Sequence, residues 1–198
     1  MTSRTVLSFQ RSAGTPAEMS DEALVAACAT GDGAALGALF DRHHDAVRRF
    51  LGRLSGTDER DLDDLVQSTF EVVPRAARRF DGRAPVRAWL FGTAVNMARH
   101  HVRSEIRRKR LATAAAEQPR AGGRHIVDDL ADRERAVRLR EAVAALPVKL
   151  RETFVLVYFE GVSGKEAAAI LGCREGAIWK RLHEARAQLR GALEGAVR

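Results

Sequence analysis

The sequence predicts an all-α protein of two small helical domains joined by a flexible linker. Three observations carry this prediction. Good helix formers (Ala, Leu, Arg, Glu) dominate the 198 residues, while aromatics are only 6% and β-branched runs are scarce. Apolar residues recur at three- and four-residue spacing along most of the chain. One Ala- and Gly-rich stretch, residues 111–128, breaks that rhythm and divides the chain in two.

In chain order, residues 1–19 read as a mobile tail rich in Ser, Thr, Gly, Pro and Gln. The first domain is expected over 20–110. Ser20, followed by Asp21 and Glu22, marks a helix start, with acids where the helix dipole favours them. Leu24, Val25 and Cys28 share one face of that helix, and Gly31-Asp32-Gly33 breaks it. Leu36, Leu39, Phe40, Val47, Phe50, Leu51 and Leu54 form the core stripe of a second helix. A third begins near Asp58, with Leu62, Leu65, Val66, Thr69, Phe70 and Val73 inward, until Pro74 kinks or ends it. Residues 80–85 read as a loop, and Pro85 opens a helix with Val86, Trp89, Leu90, Thr93, Ala94 and Met97 inward.

The second domain is expected over 129–194. One helix spans roughly 129–146, Pro147 opens the next, and Gly161 stops it. Ser163 with Glu166 three positions on has capping-box spacing. A short helix follows to Gly172, and a long basic one runs to about Leu193. This helix–tight turn–helix cadence is that of a reader of the DNA major groove.

Charge is segregated along the chain. The protein carries a net +7 and a sequence pI near 10.3, which favours an anionic partner. Residues 75–110 hold 11 basic and 2 acidic side chains, a local +9. Cationic clusters of this kind release counterions on meeting phosphates. Within that span, Phe80, Trp89, Asn96 and His100 are candidates to meet bases, and Arg78, Arg79, Arg83, Arg87, Arg99 and Arg103 to meet phosphates, as in single-strand binding. Trp89 taken alone reads better as core, whereas Asn96, an amide inside an apolar stretch, needs a partner. In the second domain Arg174, Glu175, Trp179, Lys180, Arg181, His183, Arg186 and Arg190 are left for DNA once Ile178, Leu182, Ala185 and Leu189 pack inward. By contrast, residues 58–73 hold six acids against one Arg, a local −5. Asp64, Gln67 and Glu71, a turn apart, would repel DNA and suit a basic protein partner.

Other chemistries find little support. Cys28 and Cys173 show no metal or redox spacing, a pattern that fits a reducing cytosol. Residues 1–19 lack a signal-peptide core, and no run has the length to span a bilayer. There is no phosphate-cradling GxxxxGK and no HExxH. The adjacent pairs His43-His44 and His100-His101 diverge by about 100° on a helix, a poor chelating geometry. No cofactor, metal, catalytic residue or small-molecule substrate is expected.

These residues resemble the extracytoplasmic-function (ECF) group of the bacterial sigma-70 family. DEALVAACATGD, DLDDLVQSTFEVV, RRFDGRAPVRAWLFGTAVNMARHHVR and ALPVKLRETFVLVYFEGVSGKEAAAILGCREGAIWKRLHEARAQLR are similar to its successive segments, in order. The resemblance implies a sigma region 2-like domain and a sigma region 4-like helix-turn-helix domain. It implies a non-enzymatic subunit of core RNA polymerase that recognises −35 and −10 promoter elements and melts the latter. By similarity, Asp61, Asp64, Gln67, Phe70 and Glu71 meet the clamp helices of the largest polymerase subunit, and the second domain meets the flap region. Arg79, Phe80, Arg83, Arg87, Trp89, Asn96, Arg99 and Arg103 belong to the −10 surface. Arg174, Glu175, Trp179, Lys180, Arg181, His183 and Arg186 belong to the −35 surface. An anti-sigma factor covering these faces is the further partner implied.

The chain departs from the family pattern at Ser68, usually Glu, and at Ala177 and Trp179 within the recognition segment. The alternative reading of the residues is a helix-turn-helix regulator that binds duplex DNA without acting as a polymerase subunit.

Overall fold

The computed structural model describes residues 15–55, 59–111 and 130–195. The expected linker, apart from Leu111, lies outside the described residues, as do Asp58 and residues 1–14. Among the described residues every regular element is helical: α1 (Asp21–Ala29), α2 (Gly33–Ser55), α3 (Glu59–Glu71), α4 (Val73–Ala77), α5 (Val86–Leu111), α6 (Leu130–Ala145), α7 (Val148–Phe154), α8 (Gly164–Leu171) and α9 (Glu175–Gly195).

Local chemistry sets most boundaries. The Ser20 hydroxyl accepts from Ala23 N at 3.2 Å and caps α1. Asp32 does more than break the chain: its Oδ1 accepts from Ala34 N and Ala35 N and so starts α2. Pro74 occupies the first turn of α4, a separate short helix, where its missing N–H costs nothing. A single helical turn at Pro16–Glu18 precedes α1, in a stretch where composition predicts a tail. It is tied down because Arg42 donates to the carbonyls of Ala17 and Met19 at 3.1 Å each and also pairs with Asp21. His43, largely buried, faces the other Asp21 oxygen at 2.9 Å, so that histidine serves the α1–α2 joint.

In the first domain α2 and α3 pack on α5, while α1 bridges α2 and α4. Leu24, Leu39, Phe50, Leu51, Leu90 and Phe91 are fully buried, and the Phe50 and Phe91 rings stand 4.7 Å apart. Each side chain of this kind contributes roughly 1.5–3 kcal/mol by leaving water. Cys28 lies in the same core, and burial followed by the Asp32 charge pushes its thiol pKa up.

In the second domain α7 continues into a π-helical turn, Val155–Phe159, before Gly161 (φ 67°) ends it. Ser163 and Glu166 form the reciprocal capping box, and Gly172 closes α8 in the left-handed conformation at φ 65°. Leu156, Ala167, Ile178, Leu182 and Ala185 are fully buried between α7, α8 and α9.

The two domains share one continuous apolar core. Helix α8 leans on α5, where Gly92 admits Ile170: a Cβ at residue 92 would lie 3.7 Å from that side chain. Phe91, Val95 and Ala98, which the single-stripe reading of α5 omits, are buried because α2, α3 and α8 all pack on this helix. Trp89 and Met97, expected inward, are half-buried.

The Ser163 hydroxyl and the Ser163 backbone N–H both donate to Glu166, lowering that carboxyl's pKa. Ser163→Ala is expected to cost about 1 kcal/mol in urea unfolding at neutral pH. A lowered folded-state pKa gives stability that is present above the unfolded value and lost as pH falls through the folded one. The deficit of the variant should therefore shrink below the ordinary carboxylate range.

Candidate nucleic-acid interface

Helix α3 turns Leu62, Leu65, Val66, Thr69 and Phe70 inward, which leaves Asp64, Gln67 and Glu71 on its outer face. All three are exposed, and Gln67 Nε2 donates to Glu71 Oε1 at 2.8 Å. Asp61 is half-buried, 4.0 Å from His101 Nε2. Phe70 lies beneath this face, as its place on the inward stripe predicts: it is 4% exposed and meets Phe40 edge-on at 4.9 Å. Beside the ridge, an open cleft between α3 and α5 is lined by Asp64, Ser68, Met97, His100, His101 and Arg107.

The loop before α5 is shaped by Gly82 (φ 70°) and by Asp81, whose Oδ1 accepts from Arg83 N at 3.1 Å. Phe80 is half-buried, its ring 5.2 Å from the half-buried Trp89, so the two form one aromatic platform. Arg79, Arg83 and Arg103 are exposed. Asn96 is exposed as well. The expectation of an amide held in an apolar setting is thus corrected, because residue 96 faces out between buried Val95 and half-buried Met97.

Two arginines of the group are engaged elsewhere. Arg99 makes a two-pronged contact with Glu152, Nε to Oε1 at 2.8 Å and Nη2 to Oε2 at 2.6 Å. This bond raises the Arg99 pKa and keeps the group charged. Arg87 Nη2 donates to Glu160 Oε2 at 2.9 Å, while Arg53 Nη1 takes Glu160 Oε1 at 2.8 Å.

In the helix-turn-helix, Arg174, Glu175, Lys180, His183, Arg186 and Arg190 are exposed, and Arg181 is half-buried with Nη1 3.6 Å from Cys173 Sγ. Trp179 is 51% exposed. Its Nε1 donates to Glu175 Oε1 at 3.3 Å, and its ring lies over Gly164, where an added Cβ would come within 2.9 Å of Cζ2. The indole therefore lies against the start of α8 while staying about half exposed.

Sequence reasoning misses Arg53, Glu152, Glu160 and Gly164. A signal existed for the glutamates: Glu152 and Glu160 bracket the apolar run 153–159, and an acid so placed needs a buried cation. Nothing local identifies the cation. Among the described residues, no three His, Cys, Asp or Glu side chains are grouped to hold a metal ion. No described helix is long and apolar enough to cross a membrane.

An acidic ridge, a cationic helix with an aromatic platform, and a basic helix-turn-helix on one chain define a transcription protein with two DNA-facing domains. Family models bear this out: Sigma-70 region 2 matches residues 39–108, and the second, Sigma-70, region 4, matches residues 136–189. The chain belongs to the sigma-70 family of RNA polymerase sigma factors, in its ECF group. It is 34% identical to the ECF RNA polymerase sigma factor SigM of Mycobacterium tuberculosis, over 87% of this chain and 84% of the relative. With the RNA polymerase sigma factor CnrH of Cupriavidus metallidurans it shares 35% identity over 89% and 96% of the two chains. The solved structure of CnrH with the cytosolic domain of CnrY superimposes with a TM-score of 0.64 at 32% identity, covering 88% of this chain and 97% of that one. The sigma factor RpoE of Bartonella quintana, solved with the anti-sigma factor NepR, gives 0.67 at 26% identity, covering 78% and 94%. As a sigma factor the protein acts with core RNA polymerase and promoter DNA, and the duplex-only regulator is not favoured.

Gly164→Ala should push the Trp179 indole off α8. In a Trp89→Phe background, the fluorescence emission of Trp179 is expected to shift, and an unchanged spectrum would show that the ring does not depend on that glycine.

Proposed function

We propose that the sigma activity is divided among three surfaces of this chain. Asp61, Asp64, Gln67 and Glu71 dock on the clamp helices of the largest polymerase subunit, with Phe70 holding α3 in place from behind. The Phe80–Trp89 platform, Asn96 and the arginines Arg79, Arg83, Arg87, Arg99 and Arg103 take the −10 non-template strand. Arg174, Glu175, Trp179, Lys180, Arg181, His183 and Arg186 read the −35 duplex, and the second domain also meets the flap region. The protein has no catalytic site of its own, works in the cytoplasm and is restrained by an anti-sigma factor. The solved complexes of CnrH with CnrY and of RpoE with NepR support that last partner.

The observation that carries this reading is the exposure of charge of opposite sign on separate surfaces. The α3 ridge keeps Asp64 and Glu71 in solvent, while Arg79, Arg83 and Asn96 stand out around the aromatic platform. A strand held there leaves its stack only if captured bases offset the lost stacking, and an aromatic surface flanked by cations supplies that. Phosphate contacts fix register, and base-edge contacts on α9 supply sequence.

Asp64→Arg combined with Gln67→Ala is expected to abolish co-elution with core polymerase while leaving the circular dichroism spectrum intact, since both side chains are exposed. Retained co-elution would remove α3 from the interface. Phe80→Ala combined with Asn96→Ala should spare closed-complex formation but reduce permanganate reactivity of unpaired thymines at the start site. Undiminished reactivity would refute the pocket.

A further inference from the structure

Two buried carboxylates of the second domain take hydrogen bonds from arginines of the first, although Arg151 of their own domain also lies near Glu152. The side chains of Glu152 and Glu160 are 2% and 3% exposed. Glu152 receives two N–H groups of Arg99, and Glu160 receives one each from Arg53 and Arg87. All four bonds cross from one domain to the other. Phe159 adds to the joint, its ring 4.9 Å from the Arg53 guanidinium. The π-helical turn leads into Glu160: its N donates to Val155 O at 3.1 Å, an i-to-i−5 bond that widens the backbone just before the acid.

A guanidinium fork that grips a carboxylate through parallel N–H bonds offers the same donors to a phosphate. Arg87 and Arg99 stand on α5, about 18 Å apart along its axis, within the surface assigned above to the −10 strand. Arg53, from the end of α2, completes a face that remains partly open to water: the three arginine side chains are 34%, 50% and 32% exposed. The carboxylates, not the arginines, are the sealed partners.

We propose that Arg53, Arg87 and Arg99 form a phosphate-binding face for single-stranded promoter DNA, and that Glu152 and Glu160 occupy it in the free protein. The proposal deepens the sigma reading and rests on it. Strand and second domain compete for the same three guanidinium groups, so the domains part before the strand binds. Polymerase, by engaging each domain separately, is the agent that parts them. A free sigma factor is thereby kept from stray single strands without any inhibitor.

The test uses the full chain, free in solution, with a short fluorescein-labelled oligothymidine as a sequence-neutral probe of phosphate binding. Two routes open the joint. Glu152→Gln with Glu160→Gln removes the competing charges. Gly92→Leu leaves every charge in place and wedges α5 from Ile170, the side chain that meets residue 92. Both variants should show a larger radius of gyration by small-angle scattering and tighter oligothymidine binding by anisotropy. The slope of log affinity against log salt should steepen by roughly 2, at about 0.7 for each phosphate newly contacted. Adding Arg53→Ala, Arg87→Ala and Arg99→Ala to the opened protein should return the slope to the wild-type value.

Variants that expand without gaining affinity would overturn the phosphate face. Variants that stay compact and bind as before would overturn the carboxylate lock. Should the double Gln variant fail to fold, the Gly92→Leu protein carries the decision alone. Core-polymerase binding, measured on the same preparations, separates the two levels. A wild-type protein that does not bind polymerase defeats the sigma reading, whereas normal polymerase binding with no gain for oligothymidine defeats this inference only.

Discussion

A helix has one circumference to share, and α5 must serve three neighbours with it. Helices α2 and α3 take part of its surface and α8 another, while Asn96, His100 and Arg103 remain in solvent. A stripe periodic at 3.6 residues describes a helix with one buried face. α5 buries Val86, Ala88, Leu90, Phe91, Thr93, Ala94, Val95 and Ala98, far more than one stripe holds. Ile170 of α8 settles over Gly92 on the same helix, 3.7 Å from where a Cβ would stand.

From that crowding follows the electrostatics. Bringing the second domain onto α5 takes Glu152 and Glu160 out of water. A buried carboxylate is tolerated only where a well-aligned cation and its hydrogen bonds replace the lost hydration. Arg53, Arg87 and Arg99 supply the hydrogen-bonded ion pairs. The positive charge of the first domain therefore has two populations. Arg79, Arg83 and Arg103 face solvent, while Arg87 and Arg99 hold the domains together. The acidic ridge on α3 stands over Phe70, which packs against Phe40.

The helix-turn-helix shows the same logic on a smaller scale. Its turn is fixed by a capping box and a left-handed glycine, local devices that depend on a few adjacent residues. Trp179, a departure from the family pattern, is accommodated by Gly164 and anchored by Glu175. The ring is thereby seated against α8, whereas a tryptophan at that position with no such seat would be free to sample rotamers.

Helix order, caps at Ser20 and Ser163, the stop at Gly172, the acidic ridge and the basic α9 face were all legible in the residues. Each depends on neighbours within a turn or two, where periodicity and capping chemistry act. Asn96 was misread for its surroundings, because a face of a helix is known only once its partners are. The family likeness named the activity, but not which arginines are held in ion pairs. That is decided by carboxylates 53, 73 and 107 residues away in sequence from Arg99, Arg87 and Arg53. Local pattern settles what each segment becomes, and only the packing of one domain on the other settles which charges meet water, since Coulombic partners are chosen by distance in space.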